Sequence, residues 1–213
     1  MNRKIFLMMA VLLISGTAFA ESDWEYWSSY ELKAKISERI DFKFKPEFKY
    51  KEDMSRYYAT ETDIGFDWRA SEQWILGFYY DHIYELRGGE WDFEHRPYLA
   101  AEYLWKWGML SFGNRGRLEF RYPEGLDNSV RYRNRFTVKT PTVSKWKIQP
   151  YAYVEPYYDV DHEDWNRVRL AGGISWGWTK NLKSELYLMN EQNEGKSEWH
   201  GKNVLGSAIK LNF

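Results

Sequence analysis

Residues 116–136, GRLEFRYPEGLDNSVRYRNRF, contain the pattern from which the fold can be predicted. Arginine stands at positions 117, 121, 131, 133 and 135, and a hydrophobic residue lies beside nearly every one. Successive side chains of an extended strand point to opposite faces, so the arginines share one face and Leu118, Phe120 and Phe136 share the other. A turn-rich segment, 123–128, separates the two halves. The stretch therefore predicts two antiparallel strands with one basic and one apolar face.

The same alternation continues along the chain. Residues 39–51 place Ile40, Phe42 and Phe44 on one face and Asp41, Lys43 and Lys45 on the other, and no segment has a helical period. Equivalent patterns occur at 24–36, 74–81, 96–107, 146–155, 167–178 and 205–213. Aromatic residues make up 19% of the chain, charged residues 29%, and the mean hydropathy is −0.70. A transmembrane β-barrel needs both classes, since its strands alternate between lipid and lumen.

An unpaired strand edge in hydrocarbon costs several kcal/mol per open backbone group, so the sheet must close on itself. We predict an all-β fold, a single antiparallel transmembrane β-barrel of 10–12 strands. Eleven alternating stretches can be counted, whereas single-chain bacterial barrels have even strand numbers. We therefore expect one stretch to be misassigned or split. The first stretch is the candidate for this misassignment, because the alternation of short and long connections would start it on the extracellular side.

Connections alternate between two kinds, which predicts short periplasmic turns and longer extracellular loops. The short turns are expected near Ser37, Ala70–Ser71, Gly108, Pro141–Ser144 and Thr179–Asn181. The longer polar loops are expected near 52–56, 86–94, 123–129, 158–166 and 190–201.

The N-terminal residues have the pattern of a signal peptide. Asn2-Arg3-Lys4 is a basic lead, Ile5–Ile14 is apolar, and Ala18-Phe19-Ala20 has the small-x-small pattern of a cleavage site. We expect Sec export with cleavage after Ala20, so residues 1–20 form the signal peptide and 21–213 form one outer-membrane barrel in a Gram-negative cell. There is no cysteine in the chain, so no disulfide is expected.

Three segments carry a family resemblance: WEYWSSYELKAKISERIDFKFKPEFKY near the start, RGRLEFRY…RYRNRF in the centre, and PYAYVEPYYD…DWNRVRLAGGISWGWTKNLKSELYLMN late in the chain. Together they resemble the uncharacterised barrel family known as domain of unknown function 2490. The resemblance implies a barrel and no established activity. More distantly, the arginine-lined strands are similar to small oligogalacturonate- and sialate-type porins. An alternating last strand that ends at Phe213 looks like the signal read by the barrel assembly machinery, which is an expected partner together with outer-membrane lipid.

Function must come from the inward face, where arginine dominates. The candidate lumen and anion-binding residues are Arg96, Arg115, Arg117, Arg121, Arg131, Arg133, Arg135, Arg167, Arg169, Glu119, Tyr151, Tyr153 and Glu155. One hypothesis is a small channel or binding barrel for anionic solutes such as acidic oligosaccharides, because rings of arginine attract acidic solutes and tyrosines stack on sugar rings. The alternative is a plugged structural barrel in which the arginines pair with carboxylates.

An outer-membrane hydrolase is the third class considered. Asp159, Asp161, His162, Glu163 and Asp164 form the one acidic and histidine cluster, and its spacing fits no strong metal motif. Glu119 and Glu155 resemble a glycosidase pair, but carboxylates flanked by arginines ionise easily, which opposes a general acid. We expect no catalytic residue, cofactor, metal or nucleic-acid partner.

Overall fold

The computed structural model describes residues 24–143, 147–195 and 198–213, so the predicted signal peptide and its cleavage site lie outside the described residues. The described chain contains eleven β-strands: β1 (Trp24–Lys35), β2 (Ile40–Lys51), β3 (Arg56–Arg69), β4 (Trp74–Arg87), β5 (Glu90–Trp107), β6 (Leu110–Pro123), β7 (Ser129–Lys139), β8 (Ile148–Asp159), β9 (Asp164–Gly177), β10 (Leu182–Glu194) and β11 (Trp199–Asn212). The all-β prediction is confirmed. The expectation that one alternating stretch is misassigned is wrong, because each of the eleven forms a strand.

The strands form a closed barrel in chain order, with β1 next to β11. All neighbours are antiparallel except β1 and β11, which pair in parallel from Trp24↔Asn203 to Lys33↔Asn212. An odd number of strands joined by hairpins brings the first and last strands together in the same direction. The prediction of a wholly antiparallel sheet is therefore wrong at this one seam.

The two edges of the barrel are defined by their connections. The described connections at the turn edge are 36–39, 70–73, 108–109, 140–143 with 147, and 178–181, and those at the opposite edge are 52–55, 88–89, 124–128, 160–163, and 195 with 198. The prediction of longer loops on the opposite edge is wrong, because most of the polar residues assigned to 86–94, 158–166 and 190–201 continue as paired strands. For example, Glu85 pairs with Asp92 and Arg87 with Glu90.

The outer face of the barrel is apolar. Phe78, Leu99 and Leu170 are exposed there, as the alternation predicts. Away from the strand ends, the described strands place no Asp, Glu, Lys or Arg on this face. Outward tryptophans lie near the strand ends at both edges: Trp68, Trp74, Trp105, Trp107, Trp176 and Trp178 at the turn edge, and Trp24, Trp91, Trp165 and Trp199 at the opposite edge. Such paired aromatic girdles are typical of transmembrane barrels. The described residues include no helix that is long and apolar enough to cross a membrane.

Glycines let large inward tyrosines lie flat against the wall. A Cβ on Gly206 would fall inside the ring of Tyr187, and one on Gly65 or Gly77 would meet Tyr79. Only glycine accommodates this close approach of a ring to the backbone. Polar side chains and rings therefore line the interior of this barrel, and they define the candidate site.

Candidate binding chamber

The interior contains a cavity of about 380 Å³, here called the chamber. It is lined by Trp27, Ser29, Glu31, Lys43, Lys45, Glu47, Glu61, Asp63, Asp67, Ile75, Gly77, Tyr79, Ala100, Glu102, Arg115, Arg117, Arg133, Arg135, Thr137, Lys139, Tyr151, Tyr153, Arg169, Ser175, Glu185, Tyr187, Met189, Ala208 and Lys210. The lining runs from Arg117 and Arg169, in the middle of their strands, to Lys139 and Lys210 near the turn edge, where the side chain of Lys210 is 29% exposed. The chamber therefore opens toward the turn edge.

The half of the barrel toward the opposite edge is filled by a network of arginines and carboxylates. At its centre, Glu119 is contacted by Arg131 at 2.6 Å and by Arg117 and Arg133 at 2.9 Å each. All four residues are buried. Neighbouring inward positions on β6 and β7 bring these groups together, since Arg117 pairs with Arg133 and Glu119 with Arg131. Like charges opposite each other are destabilising unless a counter-charge lies between them, and Glu119 supplies it.

Three further carboxylates extend this network around the wall. Glu155 lies 2.9 Å from Arg135, Glu94 lies 2.8 Å from both Arg96 and Arg121, and Glu191 lies 2.5 Å from Arg169 and 3.9 Å from Arg167. Each carboxylate is at most 2% exposed. A buried charge is tolerated only where it is paired and hydrogen-bonded. The internal salt-bridge network that the structural hypothesis predicted is present.

Tyrosines complete the network. Tyr157 is fully buried, accepts a hydrogen bond from Arg133 at 2.8 Å and donates one to Glu155 at 3.0 Å. The guanidinium of Arg117 lies 3.5 Å from the ring centroid of Tyr98. These contacts add to the arginine-to-carboxylate pairs, and the groups at the centre of this half are buried, whereas Arg121 and Arg167 nearer the opposite edge keep side-chain exposures of 25% and 32%.

Arg115 is the exception among the predicted lumen arginines. Within the described residues no carboxylate lies within 4.0 Å of it, whereas each of the other eight has one. Its guanidinium carbon instead lies 5.7 Å from the ring centroid of Tyr79, a cation–π contact. Arg115 is also directly opposite Arg135 in the register of β6 and β7. The chamber therefore has a pair of facing arginines of which only Arg135 holds a carboxylate.

The charges that line the chamber are divided between two walls. Strands β6 to β9 contribute Arg115, Arg117, Arg133, Arg135, Lys139 and Arg169, and no acidic side chain from these strands lines it. Strands β1 to β5 contribute Glu31, Glu47, Glu61, Asp63, Asp67 and Glu102 together with Lys43 and Lys45. Opposed walls of unlike charge create a field across the cavity, which orients a charged solute with its anionic part toward β6 to β9.

The predicted site residues fall into two sets. Arg96, Arg117, Arg121, Arg131, Arg133, Arg167, Arg169, Glu119 and Glu155 belong to the network, and three of these arginines form the chamber floor. Arg115, Arg135, Tyr151 and Tyr153 line the chamber walls. The prediction did not include Lys139, Lys210 or Tyr79, although their inward parity would have identified them.

The remaining candidates lie outside the chamber. His162 is exposed on the opposite edge, with its Nδ1 3.1 Å from Asp159 Oδ1. His82 and His95 lie on the outer face, where their rings pack against each other and against Phe93. The part of the chain that the structure describes contains no group of three metal-ligating residues.

Around the mouth of the chamber, ion pairs hold the turns in place. Lys35 donates to Glu38 at 2.7 Å in the turn after β1, and this hydrogen bond and the lysine charge keep the pKa of Glu38 below its usual value. Arg69 pairs with Asp41 across β2 and β3. Lys106, Lys139 and Lys183 are exposed at the same edge, and no carboxylate of the described residues lies within 4.0 Å of them. The mouth therefore carries unpaired positive charge.

Comparison with known proteins agrees with the resemblance in the sequence. The model of a family described as "Protein of unknown function (DUF2490)" matches residues 24–202. No curated protein matches the chain.

Proposed function

Since the chain belongs to the DUF2490 family, we propose that it is an outer-membrane β-barrel whose chamber binds small anionic solutes at the turn edge, while its other half is sealed. The proposal has three parts: placement in the membrane, preference for anions, and binding in place of open passage. The role is binding, and no catalytic step is assigned.

The outer face supports the membrane placement. A band without charged side chains, bounded by tryptophans at both edges, matches the demands of hydrocarbon flanked by two interfaces. The closed sheet leaves no unpaired strand edge, which a bilayer requires of any spanning sheet.

The basic wall supports a preference for anions, and Arg115 is the single observation that carries it. The Arg115 guanidinium has no carboxylate partner and faces Arg135 in a partly enclosed cavity, so it can donate hydrogen bonds to a carboxylate of a solute. Tyr151 and Tyr153 line the same wall. The volume of about 380 Å³ lies within the range of small-molecule sites.

The buried network favours binding over open passage. Every arginine of the network has a carboxylate partner, and Glu94, Glu119 and Tyr157 have no solvent-exposed surface. Water and ions crossing the barrel would have to break several of these pairs. This same observation favours the second candidate function, a purely structural barrel, which differs from the proposal in having no ligand.

In the experiment, purified protein in lipid nanodiscs is titrated with D-galacturonate and, separately, with neutral D-galactose. Calorimetry measures the heat of binding in each titration. The proposal expects binding of the acid, little binding of the neutral sugar, and a loss of about fivefold to tenfold in affinity in Arg115→Gln. Equal affinity for the two sugars, or no binding of either, would leave the structural barrel as the better account.

A further inference from the structure

The basic wall continues beyond the chamber toward the mouth in three tiers on β5, β6 and β7. The first tier is Glu102, Arg115 and Arg135, which are consecutive cross-strand partners. The second tier is Leu104, Gly113 and Thr137, and the third is Lys106, Ser111 and Lys139. Neighbouring tiers are two residues apart on each strand, so all three point into the barrel.

A second cavity of about 390 Å³ lies at this end of the wall. It is lined by Glu72, Glu102, Leu104, Trp105, Lys106, Ser111, Phe112, Gly113, Thr137 and Lys139. Glu102, Thr137 and Lys139 also line the chamber, so the two cavities adjoin. We call the second cavity the vestibule.

The middle tier lies between the two basic tiers. Gly113 has no side chain, and a Cβ there would approach Leu104 and Glu102 to 3.2 and 3.3 Å. Thr137 is a small neighbour in the same tier. This tier therefore carries no cation between two tiers that both carry cations, and the side chains of Leu104 and Glu102 lie against Gly113.

The two basic tiers are four residues apart along β7. At about 3.3 Å per residue this is a separation of roughly 13 Å. Lys106 and Lys139 lie on either side of Ser111 in the register, and neither has a carboxylate within 4.0 Å among the described residues. Glu72 and Glu102 face the same space, which disfavours an anionic group placed between the two basic tiers.

We propose that the ligand of this site is an extended acidic oligomer with two anionic groups about 13 Å apart, one held by Arg115 and Arg135 and the other by Lys106 and Lys139. The inference rests on the proposed function and adds a second anion subsite at the vestibule. A single small anion occupies only the inner subsite. An oligomer occupies both, with its middle part alongside Leu104 and Thr137.

The test uses acetylated, amidated peptides as rulers, with calorimetry on the protein in nanodiscs. Ac-Glu-Gly-Gly-Gly-Glu-NH2 carries two carboxylates four residues apart, Ac-Glu-Gly-Gly-Gly-Gln-NH2 carries one, and Ac-Glu-Glu-Gly-Gly-Gly-NH2 carries two adjacent carboxylates. We expect the first peptide to bind about fivefold more tightly than the other two, the gain of one partly exposed ion pair. Equal affinity of the spaced and adjacent pairs would overturn the inference, because charge alone would then explain binding.

Variants separate this inference from the proposed function. The double variant Lys106→Gln/Lys139→Gln is expected to remove the gain of the spaced peptide over the peptide with two adjacent carboxylates. Arg115→Gln is expected to weaken all three peptides. Lys180→Gln, in the turn 178–181 on the other side of the mouth, is the control for loss of surface charge and is expected to preserve the gain. If the lysine double variant keeps the gain, the second subsite is refuted and the chamber proposal stands; if no peptide and no galacturonate binds, the proposed function fails.

Discussion

At the scale of single residues, the interior shows how a barrel holds charges away from water. Glu119 is inaccessible to solvent and faces three guanidinium groups. Removing one partner of a buried pair is costly because the other charge remains buried without compensation. The carboxylates at the centre of the network are therefore expected to contribute more to stability than any arginine at its edge.

Glu119→Gln is predicted to destabilise the protein by about 3–5 kcal/mol, because it leaves Arg117, Arg131 and Arg133 with an excess of buried positive charge. The measurement is urea unfolding in lipid vesicles, followed by tryptophan fluorescence. Glu102→Gln is the matched control, since Glu102 has no ion pair among the described residues, and it is expected to change stability by less than about 0.5 kcal/mol. Equal losses in both variants would contradict the central role of Glu119.

Gly206→Ala is predicted to destabilise by about 1–3 kcal/mol, because the added methyl overlaps the ring of Tyr187 and forces it off the wall. Gly177→Ala is the control, because its added methyl lies 3.7 Å from its nearest neighbour, an ordinary contact. Its unfolding midpoint should be close to that of the parent protein. Unfolding midpoints measured for both variants test the prediction. A Gly206→Ala midpoint equal to that of the control would show that Tyr187 has room to move.

Which face each residue takes was predictable from the sequence, and which partner it finds was not. The period of two placed Arg117, Glu119 and Phe136 on their observed faces, because a strand in a barrel wall has only two sides. The same pattern gave no reason to distinguish Arg115 from Arg117. That difference depends on the register of β6 against β7 and on the reach of Glu119, which are properties of the assembled sheet.

At the scale of strands, the parallel contact of β1 with β11 is the feature that the sequence did not predict. The alternation identified all eleven strands, but the general preference for even strand numbers made one appear surplus. Closure is decided by backbone hydrogen bonds between two distant segments, and no side-chain pattern records it. In the structure, Tyr26 and Ser207 meet across the seam with their oxygens 2.7 Å apart.

The seam predicts a specific cross-link. Ser28 and Ser207 are register partners on β1 and β11, so the double variant Ser28→Cys/Ser207→Cys should form a disulfide on mild oxidation, visible as a gel shift without reductant. The chain has no other cysteine to interfere. Ser28→Cys/Ser184→Cys, which places the second thiol on β10, should remain reduced. Cross-linking only in the control pair would mean that β1 does not pair with β11.

At the scale of the whole molecule, the two halves of the barrel differ in what fills them. The sealed network occupies the half toward the opposite edge, and the chamber, vestibule and unpaired lysines occupy the half toward the turn edge. We retain the expectation from the sequence that the turn edge faces the periplasm, so that solutes would reach the chamber from inside the cell envelope.

Single cysteines test this orientation. Asp127→Cys lies in the connection 124–128 on the opposite edge, and Lys180→Cys lies on the turn edge. A membrane-impermeant maleimide applied to intact cells should label the first and not the second, and both should react once the outer membrane is permeabilised. Labelling of Lys180→Cys in intact cells would invert the orientation and place the chamber mouth outside.

The central claim is that arginine-to-carboxylate pairs seal one half of a closed barrel and leave a chamber in the other. Conductance in planar lipid bilayers tests it most directly. The account predicts no steady ionic current through the inserted protein. The heat-dependent gel mobility of the protein verifies that it is folded. A stable, ohmic, anion-selective current through the unmodified protein would contradict the seal and favour an open passage.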